Sequence, residues 1–273
     1  MTTTDTQISA TENPMLANEL AAKAMSDQEV VSASIRPEIQ LPPDTQVKLP
    51  GGMLDPFEGL TNTAEVRELN GADEEAISKL SDSGKALLAI LDRAVVKIGE
   101  EPAKKDMLDS LLAGDREVLL LAIRKATFGS TVKLGPSCPE CGEDQIFTID
   151  LDKDVEIVEL KEEDRFFTVD CKIGKVAMTL PTGAAQRDLI AATNKNAAEL
   201  DSILLKHCIT SINGAPVVTM QQVRDLSIKD RRELLKAISD KNPGPRLTEI
   251  KKTCSACDQE VSLPLSLAEL FRE

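Results

Sequence analysis

Two Cys-x-x-Cys pairs carry the clearest chemistry in this sequence: Cys138 with Cys141, and Cys254 with Cys257. The two intervening residues let both sulfur atoms of a pair turn toward the same ion, but a structural Zn²⁺ takes four ligands in a tetrahedron. One pair supplies only two of these ligands. The four cysteines together therefore predict one site for a single structural zinc, with each pair forming half of a split zinc ribbon.

Each cysteine pair lies between two short runs of strand-forming residues. Residues 131–134 and 145–149 flank the first pair, and residues 247–252 and 259–263 flank the second. This pattern predicts two β-hairpins with a cysteine pair at each tip. The pairs are much farther apart along the chain than in compact zinc modules, so a folded segment must be inserted between them. The sequence leaves open whether both pairs share an ion within one chain or two chains each contribute a pair.

Two other interpretations of the cysteine pairs stay open. Thioredoxin-like redox motifs share the Cys-x-x-Cys spacing, although they begin a helix that follows a strand rather than occupying a hairpin. Thiols that bind no metal are the second alternative. The remaining cysteines, Cys171 and Cys208, are not part of a Cys-x-x-Cys pair and are predicted to be small buried apolar residues.

The two halves of the chain resemble each other. The run that begins at Asp115 matches the run that begins at Asp230 with an offset of 115 (230 minus 115), and Cys138 matches Cys254 with an offset of 116 (254 minus 138). Leu-Pro-Gly-Gly at 49–52 has a looser counterpart in Leu-Pro-Thr-Gly at 180–183. We interpret the pattern as an internal duplication. The alternative is that two amphipathic helices precede two ribbons by coincidence.

These features predict an α+β fold with two pseudo-repeats. Each repeat is made of helices and a knuckle hairpin, meaning a β-hairpin with one Cys-x-x-Cys pair at its tip, and the split four-cysteine zinc ribbon joins the two repeats. Residues 1–46 are predicted to be a flexible acidic arm with a short helix at 14–25. Residues 47–160 would form the first, mostly helical repeat, and residues 161–273 the second repeat with its own strands, helices and hairpin.

Apolar periodicity predicts the elements inside each repeat. Asp115 is the expected N-cap of a helix that Gly129 ends, and a buried helical stripe is expected from Leu87 to Ile98. Strands are expected at 155–160 and 165–180. Further helices are expected at 184–192, 198–209 and 229–238, with a last helical turn at 265–271.

Composition and charge argue against nucleic acid as the partner. The formal net charge is −14, and aromatic residues make up 2% of the chain, with no Trp or Tyr. A phosphate backbone requires a basic surface, and binders of single strands also use stacking aromatics. No run is long and apolar enough for a membrane helix and no secretory signal is visible, so no membrane partner and a cytoplasmic location are expected.

No constellation of residues predicts an enzyme. The single histidine, His207, lies between Lys206 and Cys208 on a helical stripe, where a core or rim position is the simpler explanation. Ser83-Gly84-Lys85 lacks the first glycine of a phosphate-binding loop. No catalytic residue, small-molecule substrate or organic cofactor is therefore expected.

The order of several motifs resembles the hub assembly chaperones of T-even-type contractile phage baseplates. The matching segments, within residues 47–270, are Leu-Pro-Gly-Gly at 49–52, the run at 66–75 (VRELNGADEE), DREVLL at 115–120, Phe-Gly at 128–129 and Cys-Pro-Glu-Cys-Gly at 138–142. The resemblance implies a non-enzymatic tail protein that builds or belongs to the baseplate hub and binds other tail or hub proteins. It implies presence in the host cytoplasm during assembly and leaves open whether the protein stays in the virion tail.

A zinc-ribbon regulator that contacts nucleic acid or RNA polymerase is the alternative function, with Lys251 and Lys252 beside the second pair as the contact. A thiol oxidoreductase is the third. The acidic composition favours the assembly protein over the regulator, and the hairpin position of both pairs favours it over the oxidoreductase.

Overall fold

A computed structural model describes residues 45–55, 59–217 and 219–271. The predicted arm at 1–46 lies outside these residues except for its last two positions, and the predicted helix at 14–25 lies outside them entirely. The described chain combines helices with several small antiparallel sheets, which confirms the predicted α+β class.

The first half begins with a four-stranded antiparallel sheet in the order β1-β2-β3-β4. Its elements are β1 (Gln46–Asp55), β2 (Gly59–Val66), α1 (Gly71–Ile77), α2 (Ser83–Ala94), β3 (Val95–Ile98) and β4 (Glu101–Pro102). The predicted helical stripe from Leu87 to Ile98 is wrong at its end, because the chain leaves the helix after Ala94. Val95 and Ile98 are buried as strand residues that pair with β2.

A charge network centred on the buried Asp73 joins α1 to α2. The Asn70 side chain caps α1 by accepting from the amides of Ala72 and Asp73, and the Asp73 carboxylate accepts from the Asn70 amide in return. Asp73 also accepts from Arg67 at 2.6 and 3.0 Å and from Arg93 at 2.7 Å. The hydrogen-bonded Arg67 guanidinium holds the pKa of Asp73 well below its usual value. The conformation of the motif at 66–75 is thus fixed by ion pairs.

Helices α3 (Lys105–Ser110) and α4 (Ala113–Phe128) follow the first sheet, and Gly129 ends α4 with φ 84° as predicted. The prediction of Asp115 as N-cap is wrong, since the N-cap is Leu112 and Asp115 lies inside the first turn. The Asp115 side chain is fully buried and accepts a 2.7 Å hydrogen bond from the Gly51 amide in β1. It therefore ties the helix to the sheet instead of capping the helix.

The first hairpin follows α4 and consists of β5 (Thr131–Leu134) and β6 (Phe147–Asp150). Strand β7 (Ile157–Val158) is shorter than the predicted strand at 155–160. It pairs with the distant β12 (Gly244–Pro245), so a two-stranded ladder links the two halves.

The second half contains a four-stranded sheet in the order β11-β10-β9-β8, followed by two helices and a hairpin. Its elements are β8 (Phe166–Cys171), β9 (Gly174–Thr179), α5 (Gly183–Ala191), α6 (Ala197–Cys208), β10 (Ile209–Ile212), β11 (Ala215–Pro216), α7 (Met220–Arg224), α8 (Ile228–Lys241), β13 (Lys251–Thr253) and β14 (Glu260–Ser262).

Two predictions in the second half need correction. The strand predicted at 247–252 begins as a 3-10 turn (Leu247–Glu249), and only Lys251–Thr253 pairs with β14. The last helical turn predicted at 265–271 is a single 3-10 turn, Glu269–Phe271.

Within the described residues, both halves run strand, strand, helix, helix, strand, strand, helix, helix and hairpin, with the β7–β12 ladder added. The interpreted match of Leu49 with Leu180 does not follow this order. Leu49 lies within the first strand of its sheet, whereas Leu180 comes after the second strand of the other sheet, just before α5. Asp115 and Asp230, by contrast, both lie in the first turn of the helix that precedes a hairpin.

The described chain has three apolar cores. One lies between the first sheet and helices α2 and α4, and another lies between the second sheet and helices α6 and α8. The third joins the two hairpins and includes Cys138 and Cys254. Because residues of both hairpins fill this third core, the predicted metal site rests on a shared apolar base.

Candidate metal centre

The first cysteine pair occupies a tight turn at the tip of the β5–β6 hairpin. The Cys138 amide donates to the Glu143 carbonyl and the Gly142 amide donates to the Cys138 carbonyl, both at 2.9 Å. Gly142 adopts φ 75°, a left-handed conformation that glycine enters without a steric penalty. This turn directs both sulfur atoms to the same side of the hairpin tip.

The second pair repeats these bonds at the tip of the β13–β14 hairpin. The Cys254 amide donates to the Gln259 carbonyl at 2.8 Å, and the Asp258 amide donates to the Cys254 carbonyl at 3.0 Å. Asp258 takes the left-handed position with φ 57°. The structure confirms the predicted hairpins. Because neither pair begins a helix, this geometry does not match a thioredoxin-like redox motif.

The fold brings all four predicted cysteines together within one chain, with their sulfur atoms within 4.8 Å of one another. The Sγ atoms of Cys138 and Cys257 are 3.8 Å apart, and those of Cys141 and Cys254 are 3.7 Å apart. A tetrahedral zinc with Zn–S bonds of about 2.3 Å has sulfur–sulfur edges of about 3.8 Å. A disulfide would require about 2.05 Å. The sulfur spacing is therefore compatible with a metal site and too long for a disulfide, and we call these four sulfur atoms the cage.

The cage is buried on one side and open on the other. Cys138 and Cys254 are 2% and 0% exposed and pack into the third core, whereas Cys141 is exposed and Cys257 is half-buried. Each pair thus contributes one sulfur anchored in the core and one near solvent. An ion could reach the cage from the solvent side without opening the core.

Nearby amides and thiols shift the pKa values of Cys254 and Cys257 in opposite directions. Burial raises the pKa of Cys254, but hydrogen bonds from the Ala256 amide and the Gln145 side chain outweigh burial and lower it to about 6. A hydrogen bond from the main-chain amide of Gln259 lowers the pKa of Cys257, yet burial and the neighbouring cysteines raise it to about 12. Cys254 is therefore ready to ionise while Cys257 resists, and a bound cation would relieve the repulsion between thiolates.

The other cysteines lie away from the cage. Cys208 is fully buried in α6, where burial raises its pKa to about 12, as expected for an inert apolar residue. Cys171 is half-buried, and its thiol lies within 4.8 Å of carboxylate oxygens of Asp230 and Glu233. Sequence reasoning missed this group because Cys171 lies far from Asp230 along the chain. The Asp230 carboxylate also accepts from the Lys172 amide at 3.0 Å, which gives it a structural role.

The two lysines and the histidine considered from sequence each contact a carboxylate. Lys252 lies 2.6 Å from an Asp154 oxygen, and Lys251 lies 3.2 Å from a Glu260 oxygen. The ring nitrogen Nε2 of His207 lies 2.9 Å from an exposed Asp188 carboxylate. Within the described residues, none of the helices is long and apolar enough to cross a membrane.

Sequence reasoning also missed Gln145, whose side chain reaches the opposite hairpin. Its amide nitrogen donates to Cys254 Sγ at 2.8 Å, and its carbonyl oxygen accepts from the Ser255 amide and hydroxyl. Glutamine is not among the usual zinc ligands, so the local sequence held no signal for this contact.

The fold and this cage define an α+β protein whose two halves meet at a four-cysteine cluster. A comparison with protein-family models finds a match to the family described as T4 bacteriophage base plate protein, over residues 56–272. The chain therefore belongs to this family of phage baseplate proteins, which confirms the resemblance noted in the sequence. Membership supports a structural role in the tail baseplate and contacts with other tail proteins. No curated protein and no solved structure matches the chain.

Proposed function

We propose that this protein is a non-enzymatic baseplate hub assembly factor or hub component, in which Cys138, Cys141, Cys254 and Cys257 bind one structural zinc that clamps its two halves together. The main observation behind this proposal is the sulfur cage. Sulfur atoms from two hairpins that are distant in sequence lie only 3.7 and 3.8 Å apart across the cage. Family membership supports the tail context.

Zinc suits this cage better than magnesium or calcium. Four thiolates are soft ligands, which magnesium and calcium avoid and which zinc accepts in a closed tetrahedron. A closed set of four thiolates leaves no open position for substrate, so the expected role is structural. Zinc binding to small peptide sites is worth about 10–16 kcal/mol. Even a fraction of that free energy would hold two hairpins whose strands have only three or four residues each.

The proposed duplication is supported by contacts that recur in both halves. Asp115 in α4 accepts from the Gly51 amide at 2.7 Å, and Asp230 in α8 accepts from the Lys172 amide at 3.0 Å. Gly51 lies in β1 and Lys172 directly follows β8, the corresponding strand. Both aspartates are buried. In each half, the same carboxylate position thus joins the last long helix to the first strand or to the residue directly after it.

The arginines next to these aspartates give a second recurrent contact. Arg116 donates to the Leu108 carbonyl at 2.7 Å, and Arg231 donates to the Val223 carbonyl at 3.5 Å. In both cases the acceptor lies eight residues earlier, in the short preceding helix. The Asp-Arg repeat in the sequence therefore corresponds to the same pair of anchors in each half. This agreement supports two repeats, at 47–160 and 161–273.

In this function, the clamp fixes the angle between the repeats and so presents a rigid surface to other hub or tail proteins. The acidic composition, with a net charge of −14, disfavours association with DNA during assembly in the host cytoplasm. Neither a catalytic residue nor a small-molecule substrate is part of this proposal.

The alternative of a nucleic-acid regulator finds less support. Its expected contacts, Lys251 and Lys252, each lie against a carboxylate on a neighbouring strand or loop, so the ribbon offers little free positive charge. Phosphate binding would require such charge and would weaken steeply with salt. A gel shift at low salt tests this alternative directly.

The proposal is tested by native mass spectrometry of the reduced protein and by tail assembly in a complementation assay. We expect one zinc per chain, lost on chelation, and we expect a Cys254→Ser/Cys257→Ser variant to bind no zinc and to assemble few tails. Cys171→Ser is the matched control, since Cys171 lies outside the cage, and it should retain both properties. Normal tail assembly by the double variant would refute the clamp.

A further inference from the structure

The side chain of Gln145 joins the turns at the tips of the two hairpins, here called the knuckle turns, through hydrogen bonds to Cys254 and Ser255. Gln145 lies between the first cysteine pair and β6 and is half-buried. Its Nε2 donates to Cys254 Sγ at 2.8 Å, and its Oε1 accepts from Ser255 N at 3.1 Å and from Ser255 Oγ at 3.0 Å. Both ends of the amide are thus engaged by two consecutive residues of the opposite knuckle.

The oxygen and nitrogen ends of the Gln145 side-chain amide have different effects. The oxygen end fixes the backbone of the second turn through the Ser255 amide. The nitrogen end supplies an N–H group to a sulfur, which stabilises negative charge on that sulfur. Hydrogen bonds of this kind orient metal ligands, and their loss commonly weakens metal affinity by about 10- to 100-fold.

The arrangement is asymmetric, although the two turns have the same backbone bonds. Gln145 comes four residues after Cys141, and the residue four after Cys257 is Val261, a buried apolar residue of β14. Val261 has no side-chain donor or acceptor. The first half therefore supplies the polar link and the second half receives it.

We infer that Gln145 is a positioning residue that holds the second knuckle against the first and orients Cys254 for the metal. The part of this inference that concerns metal affinity rests on the proposed zinc site. The part that concerns the contact between the two turns does not, because the bonds to Ser255 join the turns without an ion. The consequence is that the cage is already assembled before zinc arrives.

Three glutamine variants separate these contributions. Gln145→Ala removes both ends of the link. Gln145→Glu keeps an acceptor for Ser255 but replaces the N–H donor with a carboxylate oxygen beside Cys254 Sγ. Gln259→Ala is the matched control, since the Gln259 side chain is exposed and the residue serves the second turn through its main-chain carbonyl and main-chain amide, both of which the substitution retains.

Zinc affinity is measured by competition with a chromophoric chelator, and the ligand field by the absorption spectrum of the Co²⁺-loaded protein. We expect Gln145→Ala to weaken zinc binding about 10-fold and Gln145→Glu about 100-fold, with shifted sulfur-to-cobalt charge-transfer bands in both. Gln259→Ala should match the wild type. Wild-type affinity and spectrum in Gln145→Ala would overturn the inference, and so would an equal loss in Gln259→Ala.

A metal-free readout separates this inference from the zinc proposal. Amide hydrogen exchange at Ser255 in the metal-free protein should be slowed in the wild type and in Gln145→Glu, and should accelerate about 10-fold in Gln145→Ala, as expected when a protecting hydrogen bond is lost. If the wild type bound no zinc while this acceleration occurred, the zinc clamp would fail and the link would stand. Unchanged Ser255 exchange in Gln145→Ala would overturn the link even if zinc binds.

Discussion

Replacing Gly114 by alanine should destabilise the protein although the residue lies in a helix. Gly114 is buried in the first turn of α4, against the main chain of Pro243 and Gly244 from the second half. A Cβ placed on Gly114 would lie 2.5 Å from the Pro243 carbonyl carbon and 3.2 Å from the Gly244 nitrogen. Main-chain atoms cannot rotate away as a flexible side chain can, so the two halves would have to separate locally.

The size of the effect follows from two opposing contributions. In an open helical site, alanine is more stable than glycine by about 1 kcal/mol. Overpacking of a tight interior costs about 1–3 kcal/mol, and because the contact here is with main chain we take the upper part of that range, about 2–3 kcal/mol. We therefore expect a net loss of about 1–2 kcal/mol. For a chain of this size, that corresponds to a fall in melting temperature of about 2–8 °C.

Gly71→Ala provides the matched control. Gly71 opens α1, and a Cβ built there meets no heavy atom within 4 Å. Its replacement should leave the melting temperature unchanged or raise it slightly, measured by circular dichroism at fixed zinc concentration. Equal melting temperatures for the Gly114 and Gly71 variants would refute the argument that the halves are in main-chain contact at α4.

Two further predictions concern ionisation and the knuckle turns. Burial raises the pKa of Glu117 to about 7, with the Arg246 charge opposing it, so its folded pKa lies above the usual value near 4.5. The folded protein therefore holds this proton more tightly than the unfolded chain, and stability should fall as pH rises from about 4.5 through 7. Glu117→Gln should melt higher than the wild type at pH 8 and equal to it near pH 4.5, and a constant difference across this range would contradict the assignment. In the hairpin-tip turns, Gly142→Ala should lower the free energy of unfolding by about 1 kcal/mol because Gly142 has φ 75°. Asp258→Gly, at φ 57°, should change the free energy of unfolding by less than about 1 kcal/mol. Both are measured by chemical denaturation, and equal losses would argue against backbone strain at these turns.

Local sequence signals predicted the elements that end at residues with a distinctive role, such as a glycine at a helix end or a cysteine pair at a hairpin tip. Gly129 ended α4 as expected because its positive φ is available to glycine at little cost. The two hairpins were predicted because short strand-forming runs flank each cysteine pair. The end of α2 was missed, since Val95 and Ile98 continue the apolar spacing of the helix and only pairing with β2 makes them a strand.

Asp115 also shows the difference between what local sequence predicts and what tertiary contacts decide. An aspartate at the start of an amphipathic run is a good N-cap by local chemistry, and nothing nearby in the sequence says otherwise. The approach of β1 brings the Gly51 amide to 2.7 Å from the carboxylate, and that contact redefines the residue as a link between helix and sheet. Such a bond spans 64 residues and has no local signature.

Cysteine spacing, strand alternation and motif order were enough to predict the four cysteines of the cage, the α+β class and the family, because all three are local properties of the chain. That the two pairs meet within one chain, with the Cys138 and Cys257 sulfurs 3.8 Å apart, was visible only once the chain was folded, and so was the reach of Gln145 to the second knuckle. The physical reason is that these contacts join residues more than 100 positions apart. Their geometry depends on how the helices and sheets of both halves pack around a shared apolar core, which no short stretch of sequence encodes.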